Sequence, residues 1–146
     1  MQAIGDKIYV MFAKVEEGGD EEVAGPGLGY VDAFTPGGEL VTRLKHGPWL
    51  NAPWGIALAP ESGFGKFSGE LLVGNFGSGQ IAVYKPKTGN FHGLLRDSRG
   101  KPITTEGLWG LGFGNGATAG PATTLFFAAG IDDESHGVFG TITPTK

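Results

Sequence analysis

The chain has no cysteine, which excludes a disulfide framework and thiolate chemistry and is compatible with either redox compartment. No apolar run approaches the roughly 20 residues that a membrane-spanning helix needs, so no membrane span is expected. Cations are few: 11 Lys and Arg stand against 15 Asp and Glu, a net charge of −4. With no phosphate-neutralising stripe or polybasic run, neither nucleic acid nor an anionic membrane surface is expected as a partner. The N-terminus, Met1-Gln2-Ala3-Ile4-Gly5-Asp6, lacks the basic and apolar regions of a signal peptide. Strand-like sequence begins within a few residues of Met1, as expected if Met1 marks a cut in a longer chain. Catalytic motifs are missing too. Ser62, Ser68, Ser78, Ser98 and Ser135 show no Gly-x-Ser-x-Gly elbow. Gly74-Asn75-Phe76-Gly77-Ser78-Gly79 has the glycine content of a phosphate loop without its Lys-Ser/Thr end or following helix.

What is abundant is glycine, 28 of 146 residues, with 9 prolines beside it. No Gly-X-Y period runs through them, so a collagen helix is excluded. The glycines punctuate short apolar runs rich in Val, Ile, Phe and Tyr, the pattern of many tight turns between strands. With 40% hydrophobic and 18% charged residues, the chain is a folded all-β protein rather than a disordered one.

Internal repetition organises these strands. Pro53-Trp54-Gly55-Ile56-Ala57-Leu58-Ala59 and Leu108-Trp109-Gly110-Leu111-Gly112-Phe113-Gly114 nearly superimpose, with the Trp-Gly pairs 55 residues apart. Each leads to an apolar run, Leu71–Phe76 or Leu125–Gly130, and then to a third strand, Gln80–Tyr84 or His136–Ile142. A second echo joins Tyr30–Leu40 to Gln80–Phe91. In both, an aromatic strand end meets Pro and Gly in a hairpin turn; Pro presets the turn and Gly supplies positive φ. Repeats near 40–50 residues with four short strands each read as β-propeller blades.

The expected architecture is a β-propeller segment of about three four-stranded blades. A partial blade covers 1–47, a full blade 48–100 and a partial blade 101–146. The full blade has strands near 54–59, 70–76, 80–85 and 91–96. Strands near 7–14, 29–35 and 39–45 leave the first blade without an innermost strand. Strands near 108–113, 124–129 and 136–142 leave the last without an outermost one. An open arc leaves apolar faces and strand edges in water, so the ring is expected to close by homo-oligomerisation, two copies giving six blades. Ten strands closing into a sandwich or barrel is the alternative.

Several runs resemble an uncharacterised bacterial family with NHL-like propeller repeats. They are Leu50–Pro60, Gly63–Gly77, Val23-Ala24-Gly25-Pro26-Gly27, Gly107–Gly116 and His136-Gly137-Val138-Phe139-Gly140. The resemblance places the chain as the C-terminal half of a member. Because some members look exported with a C-terminal sorting signal, it implies an extracytoplasmic or secreted location. It implies no activity.

Candidate sites are sparse. Glu16-Glu17-Gly18-Gly19-Asp20-Glu21-Glu22 gathers five carboxylates, and Glu17, Asp20 and Glu21 are candidate Ca²⁺ ligands, since that ion takes several oxygens on a flexible turn. A solvated acidic loop is the other reading. In Asp132-Asp133-Glu134-Ser135-His136, imidazole beside carboxylates suits a transition-metal set (Asp132, His136) or an acid/base pair drawn from His136, Asp132, Asp133 and Glu134. A polar turn capping its own backbone is the alternative. Asn51, Asn75 and Asn115 either line a central channel or sit in turns. Trp54 and Trp109 recur and are expected between blades. Trp49 with His46 is a candidate ligand surface, since an aromatic face suits a sugar ring. The leading expectation is a non-catalytic scaffold or ligand-binding ring. Its rivals are a hydrolase for lactones or carbohydrates, with or without a divalent metal, and a carbohydrate-binding surface.

Overall fold

The computed structural model describes residues 1–145. Apart from one 3-10 turn (Gly65–Phe67), every regular element among them is a strand. Turn residues interrupt the apolar runs before a helix can form.

The first sheet begins with β1 (Gln2–Ile4) and β2 (Lys7–Phe12). The chain then makes a separate two-stranded hairpin, β3 (Lys14–Val15) and β4 (Glu22–Val23), before β5 (Tyr30–Phe34) and β6 (Leu40–Arg43) complete the sheet in the order β1-β2-β5-β6. The second sheet runs β7 (Pro53–Leu58), β8 (Leu71–Asn75), β9 (Ile81–Tyr84) and β10 (Phe91–Leu94), and the third β11 (Leu108–Phe113), β12 (Leu125–Ile131) and β13 (His136–Ile142). All paired strands are antiparallel, and no sheet closes on itself. The first sheet therefore has a fourth strand, β1, that sequence patterning does not reveal. β1 pairs Gln2 with Tyr9 and Ala3 with Ile8. Three residues are too few to display a period of two.

The two Pro–Gly turns fold alike. Thr35 N–H donates to Glu39 O and Gly38 N–H to Thr35 O; one register longer, Lys85 N–H donates to Asn90 O and Gly89 N–H to Lys85 O.

The second sheet lies between the other two, so β8 and β9 are buried along their whole length. That is why their sequence is a continuous apolar run and not an alternation. Alternation is still present, but it sorts residues between two cores. Leu71, Val73, Ala82, Tyr84 and Ile56 pack with Tyr9, Val31, Ala33, Leu44 and Leu50. Leu72, Ile81, Val83 and Ala57 pack with Phe64, Phe67, Leu95, Leu108 and Leu125. β7 lies beside β11 on one side and beside β1 and β2 on the other. The approach to β11 is close enough that a Cβ on Gly55 would collide with the Trp109 carbonyl oxygen, so a larger residue there would push two backbones apart.

The outer sheets each have one uncovered face. On the first sheet, Phe12 opposite Tyr30 and Ile8 opposite Phe34 point away from Tyr9, Val31 and Ala33, which face the core. On the third, Phe126 and Phe139 stack with ring centroids 5.7 Å apart, on the opposite side from Leu125 and Phe127.

Candidate functional site

The turn between β12 and β13 holds the densest set of titratable groups. Asp132, Asp133 and Glu134 follow one another in the left-handed region, at φ 53°, 51° and 63°. Asp tolerates that conformation better than most side chains. Ser135 N–H donates to Asp132 O, and Ser135 Oγ–H donates to the same oxygen at 2.6 Å. Asp132 N–H is held by Glu106 Oε1 at 3.1 Å. His136 Nδ1 lies 3.0 Å from Ser135 Oγ and 3.3 Å from Asp132 Oδ2. Serine and aspartate thus meet the same ring nitrogen. A proton relay requires them on different nitrogens, one to orient the imidazole and one to be deprotonated by it. The His136 and Asp132 side chains are 70% and 68% exposed, so solvent weakens their attraction to the level of a surface ion pair.

The carboxylates of the acidic stretch lie on the β3–β4 hairpin, where Glu16 N–H donates to Glu21 O. Glu17, Asp20 and Glu21 are exposed there. Among the described residues, no three His, Cys, Asp or Glu side chains are gathered to hold a metal ion, either here or around Asp132 and His136.

His46 and Trp49 share a loop but point to different sheets. His46 stacks on Tyr30 at 4.6 Å, with Nε2 2.8 Å from Gly27 O. Trp49 stacks on Phe91 at 3.8 Å with the planes 8° apart, and its Nε1–H donates to Tyr84 Oη at 2.8 Å. Tyr84 in turn donates to Lys45 O. Burial pushes the Tyr84 hydroxyl pKa up, opposed by the Trp49 hydrogen bond. A Cβ on Gly47 would strike three atoms of the Trp49 ring, so the loop backbone covers one indole face and Phe91 the other. What Trp49 offers a ligand is its rim, which with Phe91 and His92 lines a cavity of about 560 Å³.

The asparagines are clasps. Asn75, fully buried, accepts from Asn51 N–H at 2.8 Å and donates to Gln80 O at 3.1 Å. Asn51 Oδ1 accepts from Gly25 N–H at 2.7 Å, and Asn115 Oδ1 accepts from Ala117 and Ala119 N–H. The recurring tryptophans part ways. Trp109 is half-buried with its ring over Gly130, while Trp54 is 52% exposed and only loosely tilted toward Phe76. Both lie within a register shift, Trp54 between Pro53 and Gly55 and Trp109 between Leu108 and Leu111.

Two clusters escape sequence reading. Asp32, 2% exposed, takes both arms of Arg43, Nε to Oδ1 and Nη2 to Oδ2, each at 2.7 Å. Arg43 also lies 5.0 Å over the Tyr30 ring. The hydrogen bond to Asp32 raises the Arg43 pKa. The other cluster pairs His92 Nδ1 with Glu70 Oε2 at 2.8 Å, in contact but not aligned as a hydrogen bond; Phe67 meets His92 edge-on. Only cross-strand neighbourhood links Asp32 to Arg43, and only a folded turn brings Phe67 to His92.

No protein-family model matches the chain. Two uncharacterised proteins of Acanthamoeba polyphaga mimivirus are similar to it. One is 38% identical over 109 residues, covering 74% of this chain and 20% of that protein. The other is 32% identical over 145 residues, covering 95% of this chain and 36% of that protein. These viral matches correct the resemblance to a bacterial family with NHL-like repeats, and the expectation of export rested on that resemblance alone. The chain spans about a fifth and about a third of the curated relatives it matches.

Proposed function

We propose that the chain is a non-catalytic β-propeller module, a scaffold or ligand-binding ring that closes by self-association. One observation carries this reading: the bare face of the third sheet repeats the face of the second sheet that the third one covers. Ile81, opposite Gly74 on the second sheet, is 1% exposed. Phe139, opposite Ala128 at the equivalent place on the third sheet, is 75% exposed. Gly55 abuts β11, whereas its repeat partner Gly110 has open space where a Cβ would go. Burying a side chain such as Phe139 favours association by about 1.5–3 kcal/mol. The first sheet supplies a complementary end, with Phe12, Tyr30, Leu40 and Val41 exposed. A second copy placed head to tail would cover both ends, and two copies would make six blades.

The greater length of the mimivirus relatives favours a second reading, in which further blades of one polypeptide complete the ring. The mass of the particle in solution separates them. Light scattering is expected to give a closed oligomer for the wild type and a monomer with an unchanged circular dichroism spectrum for Phe139→Asp. A folded monomeric wild type at high protein concentration would overturn self-association.

A further inference from the structure

We infer that the free edge of β13 is the seat of a fourth antiparallel strand, an extended segment apolar at its first and fourth positions, as β10 is with Phe91 and Leu94. The inference rests on the repeat and not on ring closure, since it concerns the edge of the third sheet and not its bare face.

The first and second sheets end in β6 and β10; the third ends in β13. Beside that edge lies a cavity of about 740 Å³, with Phe67, Leu95 and Ile103 from the second sheet and its following loop on one side, and Ile142, Thr143 and Pro144 on the other. The preceding seam shows what such a space holds. There, Leu44 and Leu50 lie in the core against which Phe91 packs, and Trp49 stacks on Phe91. Leu95 is the counterpart of Leu44, for its N–H donates to Ile81 O just as Leu44 N–H donates to Val31 O, both at 2.9 Å. The wall of the seat is therefore built twice and filled once.

The chain also reaches the edge with the same turn opening. Phe34-Thr35-Pro36 precedes β6, Tyr84-Lys85-Pro86 precedes β10, and Ile142-Thr143-Pro144 leaves β13. Register follows from the pairings. Tyr84 stands opposite Leu71 and Phe91, while Ile142 stands opposite Leu125 at the equivalent place. The first apolar residue of the incoming strand thus faces Ile142. The last faces Gly140, as Leu94 faces Ala82. Main-chain hydrogen bonds along such an edge supply affinity, and the two apolar side chains entering the cavity, brought to one face by a register shift like that between Phe91 and Gly93, supply selection.

A fluorescein-labelled peptide with the sequence of Thr88–Arg96, added in trans to the full chain, tests this. Binding is expected by fluorescence anisotropy, with at least tenfold weakening when the amides on the pairing side are N-methylated. Amide exchange of the β13 residues that β12 leaves free should slow at least tenfold. In a second form, Lys87–Arg96 is joined again after Pro144, and the same protection should follow without peptide. If neither the peptide nor the joined strand slows exchange in β13, the inference falls. A wild type found monomeric by light scattering but protected by the peptide would remove self-association and leave the seat in place.

Discussion

Asn75→Leu isolates what the buried asparagine clasp contributes. Leucine has the same branched heavy-atom skeleton and is no smaller, so no cavity opens, and the main loss is of hydrogen bonds. Asn51 N–H, on a residue 9% exposed, loses its acceptor at 2.8 Å. A buried donor left without a partner costs about 1–3 kcal/mol. The bond from Asn75 Nδ2 to Gln80 O also disappears, for a further loss of about 0.5–1.5 kcal/mol. No orphan is created there, because Gln80 O still accepts from Asn75 N–H. The sum, roughly 1.5–4.5 kcal/mol, is a large share of a stability of about 5–15 kcal/mol. For a chain of this length it lowers Tm by roughly 3–18 °C. Urea unfolding followed by tryptophan fluorescence measures it, with protein concentration held fixed because association would add to apparent stability. A loss below about 0.5 kcal/mol, the size of an ordinary surface substitution, would refute the reasoning.

Two further outcomes are expected. Gly55→Ala should destabilise by about 1–3 kcal/mol, because overpacking forces β7 and β11 apart, whereas Gly110→Ala at the repeat-equivalent place should stay within about 0.5 kcal/mol in dilute solution; equal effects in chemical unfolding would contradict the packing. Stability should also fall at alkaline pH. Burial raises the pKa of Tyr84 and of Tyr9, the latter helped by Asp6. Each tyrosine favours the fold fully below its unfolded value of about 10 and loses that contribution as pH rises beyond it. A urea midpoint that stays flat from about pH 9 to pH 11 would rule this out.

The strands of the second sheet were legible because apolar runs between Gly and Pro turns carry their own boundaries: β7, β8, β9 and β10 fall within a residue or two of the expected spans. β1 was not legible, since a three-residue strand has no period. The resemblance to a bacterial family rested on the runs Leu50–Pro60, Gly63–Gly77, Val23–Gly27, Gly107–Gly116 and His136–Gly140, and the mimivirus matches overturn it. Of the candidate groups, Asp132, Ser135 and His136 were legible as neighbours because they are adjacent in sequence. That both partners would meet the same imidazole nitrogen depends on three consecutive left-handed residues, which no side-chain pattern announces. Trp49 stood out in the sequence as the tryptophan outside the repeat, but its covered faces depend on Gly47 and Phe91, 44 positions apart from each other.

By itself, then, the sequence determined local matters: the all-β class, the strand lengths, the turn chemistry and the repeat that makes one sheet a template for the next. These depend on φ preferences and on alternation over a few residues. Tertiary structure decided which alternate residues faced which core, where Asp32 found Arg43, and which faces and edges were left bare. Those outcomes depend on sheets approaching one another across tens of residues, and only the packed chain brings the partners within reach.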